Sequence, residues 1–147
     1  MLKGTILFTS YDSIDNLDLS DYEIKLQIVR FTSKGIKEGF THVPHLSPSE
    51  NLFRKTMYGW KKLKFTQKEK EKMINGKTGT WFDLYEEEFI RETKSRVDFK
   101  IGYDRLKYYL DNGKNIVAIC YCDDKNKCHR SIIAQMLKNE GYNVILK

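Results

Sequence analysis

The chain has 147 residues, 40% of them apolar and 13% aromatic, and a formal net charge of +6. That length suits one domain, 1–147, with an ordinary hydrophobic core, and no apolar run approaches the roughly 18 residues of a membrane-spanning helix. The start, Met1-Leu2-Lys3, leads into a strand-like segment rather than a signal peptide, and three cysteines crowded together argue against a disulfide framework, so the reading is cytoplasmic, with reduced thiols and no membrane partner.

Gly4 to Phe8 is the first predicted strand and Tyr22 to Arg30 the second, where Ile24, Leu26 and Ile28 alternate with Lys25 and Gln27. Arg30 then falls at a strand end. Ser47-Pro48-Ser49-Glu50 carries a capping-box pattern, and Phe53 and Met57 follow at helical spacing, which predicts a helix from Pro48 to about Met57. Thr66-Gln67-Lys68-Glu69 repeats the pattern before a short helix stopped near Gly76. A further helix is expected through Trp81, Leu84, Tyr85, Phe89 and Ile90, whose aromatics, with Phe82, fit a core face better than a base-stacking platform. Another helix should run from about Asp98 to Asn112, with Gly113 at its end.

The most informative stretch begins at Asn115. Ile116-Val117-Ala118-Ile119 reads as a buried strand ending in Cys120-Tyr121-Cys122, Asp123 to Lys127 as a polar loop, and Cys128-His129-Arg130-Ser131 as the opening of a helix with Ile132, Ile133, Met136 and Leu137 on its core stripe. Tyr142 to Leu146 would complete a strand–helix–strand unit with parallel strands and a right-handed crossover. The expected fold is therefore α/β and Rossmann-like, a mainly parallel sheet flanked by helices.

In open parallel sheets ligands lie beyond the carboxyl ends of the strands. That rule gathers Thr9, Ser10 and Tyr11, then Arg30, then Cys120 to Ser131, at one edge. The unpaired N–H groups and dipole of a helix N-terminus favour anions, and the same field lowers a thiol's pKa. Cys128 is thus a candidate nucleophile, His129 a candidate proton acceptor and Arg130 a candidate anion clamp, against the plainer reading of Cys128 as a small buried residue. The divergence of about 100° between adjacent helical side chains argues against a direct Cys128–His129 pair. His42 and His45 follow Arg30; His45, next to Leu46-Ser47-Pro48, has the better claim to acid–base work.

The expected cofactor is none. The alternative is zinc on Cys120, Cys122, Cys128 and His129, whose donor types suit the metal although adjacent Cys128 and His129 make an awkward pair of ligands.

The charge is concentrated. From Arg54 to Lys77 there are nine basic residues against Glu69 and Glu71, so this segment alone accounts for the whole excess. Lys61, Lys62 and Lys64, interleaved with Tyr58, Trp60 and Phe65, have the composition of a single-stranded nucleic-acid surface; the competing reading is an amphipathic stretch with solvated lysines.

The strand ending in Cys120 and the Cys128-His129-Arg130 triplet resemble the domain of unknown function 488 (DUF488) family, whose C-terminal signature is a strand ending in cysteine, a polar loop and a Cys-His-Arg triplet opening a helix. Ile28-Val29-Arg30, His45-Leu46-Ser47-Pro48-Ser49 and the aromatic, acidic stretch Trp81 to Glu92 resemble further family elements in family order. Many relatives carry an acidic residue two positions after the strand cysteine, where this chain has Cys122. The resemblance implies a Rossmann-like α/β fold and no settled activity.

Together these readings lead to one expectation: an anion-binding crevice for a phosphate-bearing ligand, a nucleotide or a nucleic-acid end. Its catalytic candidates are Cys128, His129 and Arg130. Thr9, Ser10, Tyr11, Arg30, His45, Cys120, Cys122 and Ser131 are the candidate ligand-binding residues. Hydrolysis or group transfer would suit such a crevice, with the question of catalysis open. The alternatives are a non-catalytic nucleic-acid-binding module using residues 54–77 and a ligand-sequestering protein without turnover. The sequence does not set an oligomeric state.

Overall fold

The structure, a computed structural model, describes residues 2–62, 81–122 and 124–147. Lys64, Phe65, the expected helix start at Thr66 and its stop near Gly76 lie outside the described residues, as does Asp123. The chain divides into two compact units: residues 1–47 with 97–147, and residues 48–96.

The first unit is built on five strands: β1 (Thr5–Ser10), β2 (Ile24–Gln27), β3 (Thr41–His42), β4 (Ile116–Cys120) and β5 (Asn143–Leu146). Their order is β3-β2-β4-β1-β5 and every pairing is parallel. The α/β fold is as expected, with three local differences. β1 extends two residues further, to Ser10. β2 stops at Gln27, so Arg30 lies three residues past the strand, although Ile28 N still donates to Ile119 O at 2.8 Å. β3 has only two residues, too few for any period to register.

β4 is central and all five of its residues are buried, which explains its unbroken apolar run: strands covered on both faces need no polar alternation. β5 pairs with β1 rather than with β4, so the β4–β5 crossover steps over one strand. Register divides the faces. Leu7, Val117 and Ile119 join Ile14 in one buried cluster, with Tyr11, Leu17, Leu19, Tyr22 and Phe40 of the connections packed against it. Ile6, Phe8, Ala118 and Cys120 alternate to the other face. Steps from β3 to β4 and from β4 to β5 run the same way across the sheet, and right-handed crossovers then place their helices on that second face.

Those helices are Val97–Asp111 and His129–Asn139. In the first, Gly102 permits close packing: a Cβ there would come within 3.2 Å of the Leu46 side chain and 3.3 Å of His45 Cβ. Gly113, at φ +77°, follows it in the left-handed conformation that glycine tolerates best.

The second unit contains α1 (Glu50–Tyr58) and α2 (Trp81–Ser95); the two helices of the first unit are accordingly α3 (Val97–Asp111) and α4 (His129–Asn139). The N-cap of α1 is Ser49, whose hydroxyl accepts from Leu52 N at 3.1 Å. Glu92 of α2 accepts from Ser49 N at 3.1 Å and also bonds the Ser49 hydroxyl. A carboxylate brought in by another helix therefore fills the place that a capping box gives to a local Glu. Along α2, Phe82, Tyr85 and Phe89 are buried and stack in sequence, Tyr85 on Phe89 with centroids 5.9 Å apart, as the core reading of these aromatics requires.

Candidate functional site at the carboxyl edge of the sheet

Because β1, β2 and β4 are parallel, their carboxyl ends share one edge, and α4 begins there. Its N-cap is Cys128, with φ −148° and ψ 152°. That extended backbone is what the helical spacing argument leaves out. Cys128 and His129 are not successive residues of a helix, and Cys128 Sγ lies 3.6 Å from His129 Nδ1. Asp124 to Lys127 form the turn before it, closed by Lys127 N to Asp124 O at 3.1 Å and Asn126 N to Asp124 Oδ1 at 2.9 Å.

Four donor groups converge on this point. Cys120 Sγ, Cys122 Sγ, Cys128 Sγ and a ring nitrogen of His129 all lie within 4.8 Å of one another. Cys120 and Cys128 are buried with their sulfurs 3.0 Å apart, while Cys122 is half-buried. His129 Nε2 donates to Ile28 O at 2.7 Å, which leaves Nδ1 of the neutral ring as the acceptor facing Cys128. Arg130 is 1% exposed, and its Nη1 donates to Cys120 Sγ at 3.1 Å and to Cys122 O at 2.6 Å. The guanidinium therefore points at sulfur and backbone within the edge rather than out to solvent. Its Nε and Thr9 Oγ1 are buried without a hydrogen-bond partner among the described residues.

The electrostatics follow this geometry. Burial opposes ionisation of Cys120, but hydrogen bonds with Cys122 and Cys128 and the charge of Arg130 outweigh it and hold the thiol well below its ordinary range. Burial pushes the Cys128 thiol up, and its contacts with Cys120 and Cys122 push it further. The two thiols are thus pushed in opposite directions, with Cys120, the one beside Arg130, the more readily ionised. Burial pushes the His129 imidazole below its ordinary value, outweighing the opposing pull of Cys120 and of the bond to Ile28 O, with the charges of Arg130 and Arg30 adding to the fall.

The remaining candidates are placed as follows. Ser10 Oγ bonds Ser13 Oγ at 2.7 Å and accepts from Ser13 N, shaping the turn after β1. Ser131 Oγ donates to Cys128 O at 2.7 Å. Tyr11 packs edge-on against Tyr121, with centroids 5.4 Å apart, and its hydroxyl donates to Lys34 O. Arg30 is half-buried. His45 is exposed on the Pro44–Leu46 turn and is outside the thiol group; His42 Nε2 donates to Val29 O at 2.7 Å. In the second unit Lys61 Nζ stands 4.8 Å over the Trp81 ring and Lys62 Nζ 6.0 Å over Tyr58, both lysines being exposed.

Sequence reasoning missed Gln27. It alternates with apolar neighbours and so resembles a solvent-facing residue, yet it is fully buried. Its Nε2 donates to Gly35 O at 2.8 Å and to Tyr121 Oη at 3.2 Å, and its Oε1 accepts from Lys37 N at 3.0 Å. It pins the loop bearing Lys34 and Lys37 beside Tyr11 and Tyr121. Lys37 Nζ sits 4.3 Å over the Tyr11 ring, and Lys34 Nζ 5.6 Å over that of Tyr121. The only signal available in advance was an amide at the end of a strand.

An all-parallel α/β sheet whose central strand runs into a thiol, histidine and arginine cluster at a helix N-terminus defines a Rossmann-like protein with these side chains gathered at the strand ends. More particularly, the family model described as the active DUF488-N3 subclade matches residues 13–141, and the chain belongs to that family, DUF488-N3a. No curated protein and no solved structure matches it.

Proposed function

We propose that this edge is a crevice for a phosphate-bearing ligand, a nucleotide or a nucleic-acid end, and that the protein carries out hydrolysis or group transfer on it with a cysteine or histidine taking part. The carrying observation is the convergence of three thiols, an imidazole and a buried guanidinium where the strands end. Packing alone does not call for such a group, since buried polar atoms are costly unless matched, and perturbed ionisable clusters in clefts concentrate at functional sites. Arg30 and the N-terminus of α4 supply positive potential around it, while Lys34 and Lys37 are paired with Asp12 and Asp15 at 3.3 and 2.9 Å. The subclade's description as active supports turnover over simple sequestration. No helix among the described residues is long and apolar enough to cross a membrane. The reduced thiols suit the cytoplasm.

The test is calorimetric titration with inorganic phosphate, a nucleoside monophosphate and a 5′-phosphorylated oligonucleotide. Arg30→Ala should weaken binding of the preferred probe at least tenfold, while Lys61→Ala with Lys62→Ala changes it less than twofold. The opposite order of severity, with affinity falling steeply with salt, would assign binding to the basic segment instead. Probe recovered intact after long incubation would leave a sequestering protein.

A further inference from the structure

We propose that Cys120, Cys122, Cys128 and His129 form a zinc site. The inference concerns the same side chains as the crevice above: held by the metal, the three thiols and His129 are not available as nucleophile or base, so a zinc-loaded chain keeps the anion-binding part of that reading and removes direct cysteine or histidine chemistry.

Three observations carry it. The first is the donor set and its spacing. Zinc takes thiolate sulfur at about 2.3 Å and imidazole nitrogen at about 2.0–2.1 Å, so tetrahedral donors stand roughly 3.5–3.8 Å apart. Here the Cys128 Sγ to His129 Nδ1 distance is 3.6 Å, the Cys120 to Cys128 sulfur distance is 3.0 Å, and all four donors lie within 4.8 Å. Shifts of about 1 Å, within reach of small side-chain rotations, would complete a tetrahedron.

The second observation is the support around the ligands. A metal-binding histidine normally gives its other ring N–H to a carbonyl or carboxylate, which fixes the tautomer and aims the lone pair. His129 does this through Nε2 to Ile28 O at 2.7 Å, leaving Nδ1 on the sulfur side.

The third is charge. Three thiolates, a neutral imidazole and Zn²⁺ together carry one net negative charge, and Arg130, buried beside Cys120 and bonded to Cys122 O, supplies the one positive charge that balances it. A buried guanidinium directed at sulfur is the counter-charge that an anionic metal–thiolate group requires. The elements that bring the ligands together differ in kind: Cys120 ends β4, Cys122 follows it, and Cys128 and His129 open α4 after the turn Asp124 to Lys127.

The test uses full-length protein purified without chelator under reducing conditions. Elemental analysis and native mass spectrometry should find about one zinc per chain. Cobalt replacement should give the intense visible bands of a tetrahedral site together with a thiolate charge-transfer band. Cys122→Ser removes a half-buried ligand with little packing cost, and should lower that charge-transfer band and weaken zinc binding by at least tenfold. Arg130→Gln, outside the ligand set, should weaken it roughly 10–100-fold. A folded, reduced wild-type chain that retains no zinc and takes up neither added zinc nor cobalt stoichiometrically would overturn the proposal, as would a Cys120–Cys128 disulfide in the freshly isolated protein. A zinc-loaded chain that binds none of the phosphate probes would uphold the metal site while removing the ligand reading.

Discussion

Arg130 Nη1 lies 3.1 Å from Cys120 Sγ, so the most deeply buried cation among the described residues is spent on a sulfur that ends the central strand. The two residues are only ten apart in sequence, yet they meet because β4 and α4 are joined by a turn that folds back on itself. Arg130 also holds Cys122 O, so one side chain fixes both the strand end and the residue beyond it.

Arg130→Lys should therefore fail to restore what Arg130→Ala removes. A lysine ammonium is a strongly hydrated point charge without the planar fork that reaches a sulfur and a carbonyl together. Loss of one partner from a buried charged pair costs about 3–5 kcal/mol. Urea unfolding of both variants should show comparable falls, and recovery of wild-type stability by lysine would contradict the geometry.

Gln27→Leu keeps bulk but abandons three partners: Gly35 O, Tyr121 Oη and Lys37 N. Leaving buried groups unsatisfied costs about 1–3 kcal/mol. Hydrogen exchange should accelerate at the Lys37 amide, with β1 and β4 amides nearly unchanged.

Ser49 and Glu92 should show strong coupling. Ser49→Ala alone should cost about 0.5–2 kcal/mol as an N-cap loss. A double-mutant cycle with Glu92→Ala should return a coupling energy of at least about 0.5 kcal/mol, whereas additivity would mean that Glu92 does not act through the cap.

Gly4→Ala should destabilise for steric reasons, since a Cβ there would lie 1.8 Å from Lys114 O, a backbone atom that cannot turn aside. Overpacking of this kind costs about 1–3 kcal/mol. Gly35→Ala meets nothing within 4 Å, so its cost reflects only the positive φ of 81°, about 1–2 kcal/mol. Thermal melts of the two variants give the comparison.

Tyr103 and Glu140 give a pH signature. Burial and the hydrogen bond to Glu140 raise the Tyr103 phenol, so its contribution is present below the unfolded phenol pKa of about 10 and is lost as pH rises beyond it. The same hydrogen bond, with Lys107, lowers Glu140, so that contribution is present above the unfolded carboxylate pKa of about 4.3 and fades as pH falls through the lowered folded value. Glu140 is largely exposed, so its acid limb is small and weakened by salt. Tyr103→Phe should flatten the alkaline limb of a stability–pH profile and reduce the acid one.

The particular residues show where sequence reasoning reaches and where it stops. Ile116 to Cys120, the helix opened by Cys128 and the glycine-ended helix before β4 were all legible, because apolar runs, helical periodicity and end signals act over a few neighbouring residues. The gathering of Thr9, Ser10, Tyr11 and the Cys120–Ser131 segment at one edge also followed, since parallel strands share their carboxyl ends. Gln27 was not legible as a buried residue, because burial of an amide depends on partners at Gly35, Lys37 and Tyr121. Nor was the Glu92 cap, which reaches Ser49 across 43 residues.

By itself, then, the sequence determined an α/β chain with its chemistry concentrated between Cys120 and Ser131, because those features are local and each is carried by adjacent side chains. Only the tertiary structure decided that β1 separates β4 from β5, that Arg130 faces inward, and that Cys128 and His129 converge with Cys120 and Cys122. The last of these depends on an extended φ at one N-cap and on a hydrogen bond from His129 to Ile28, 101 residues away, and contacts at that separation leave no period in the sequence.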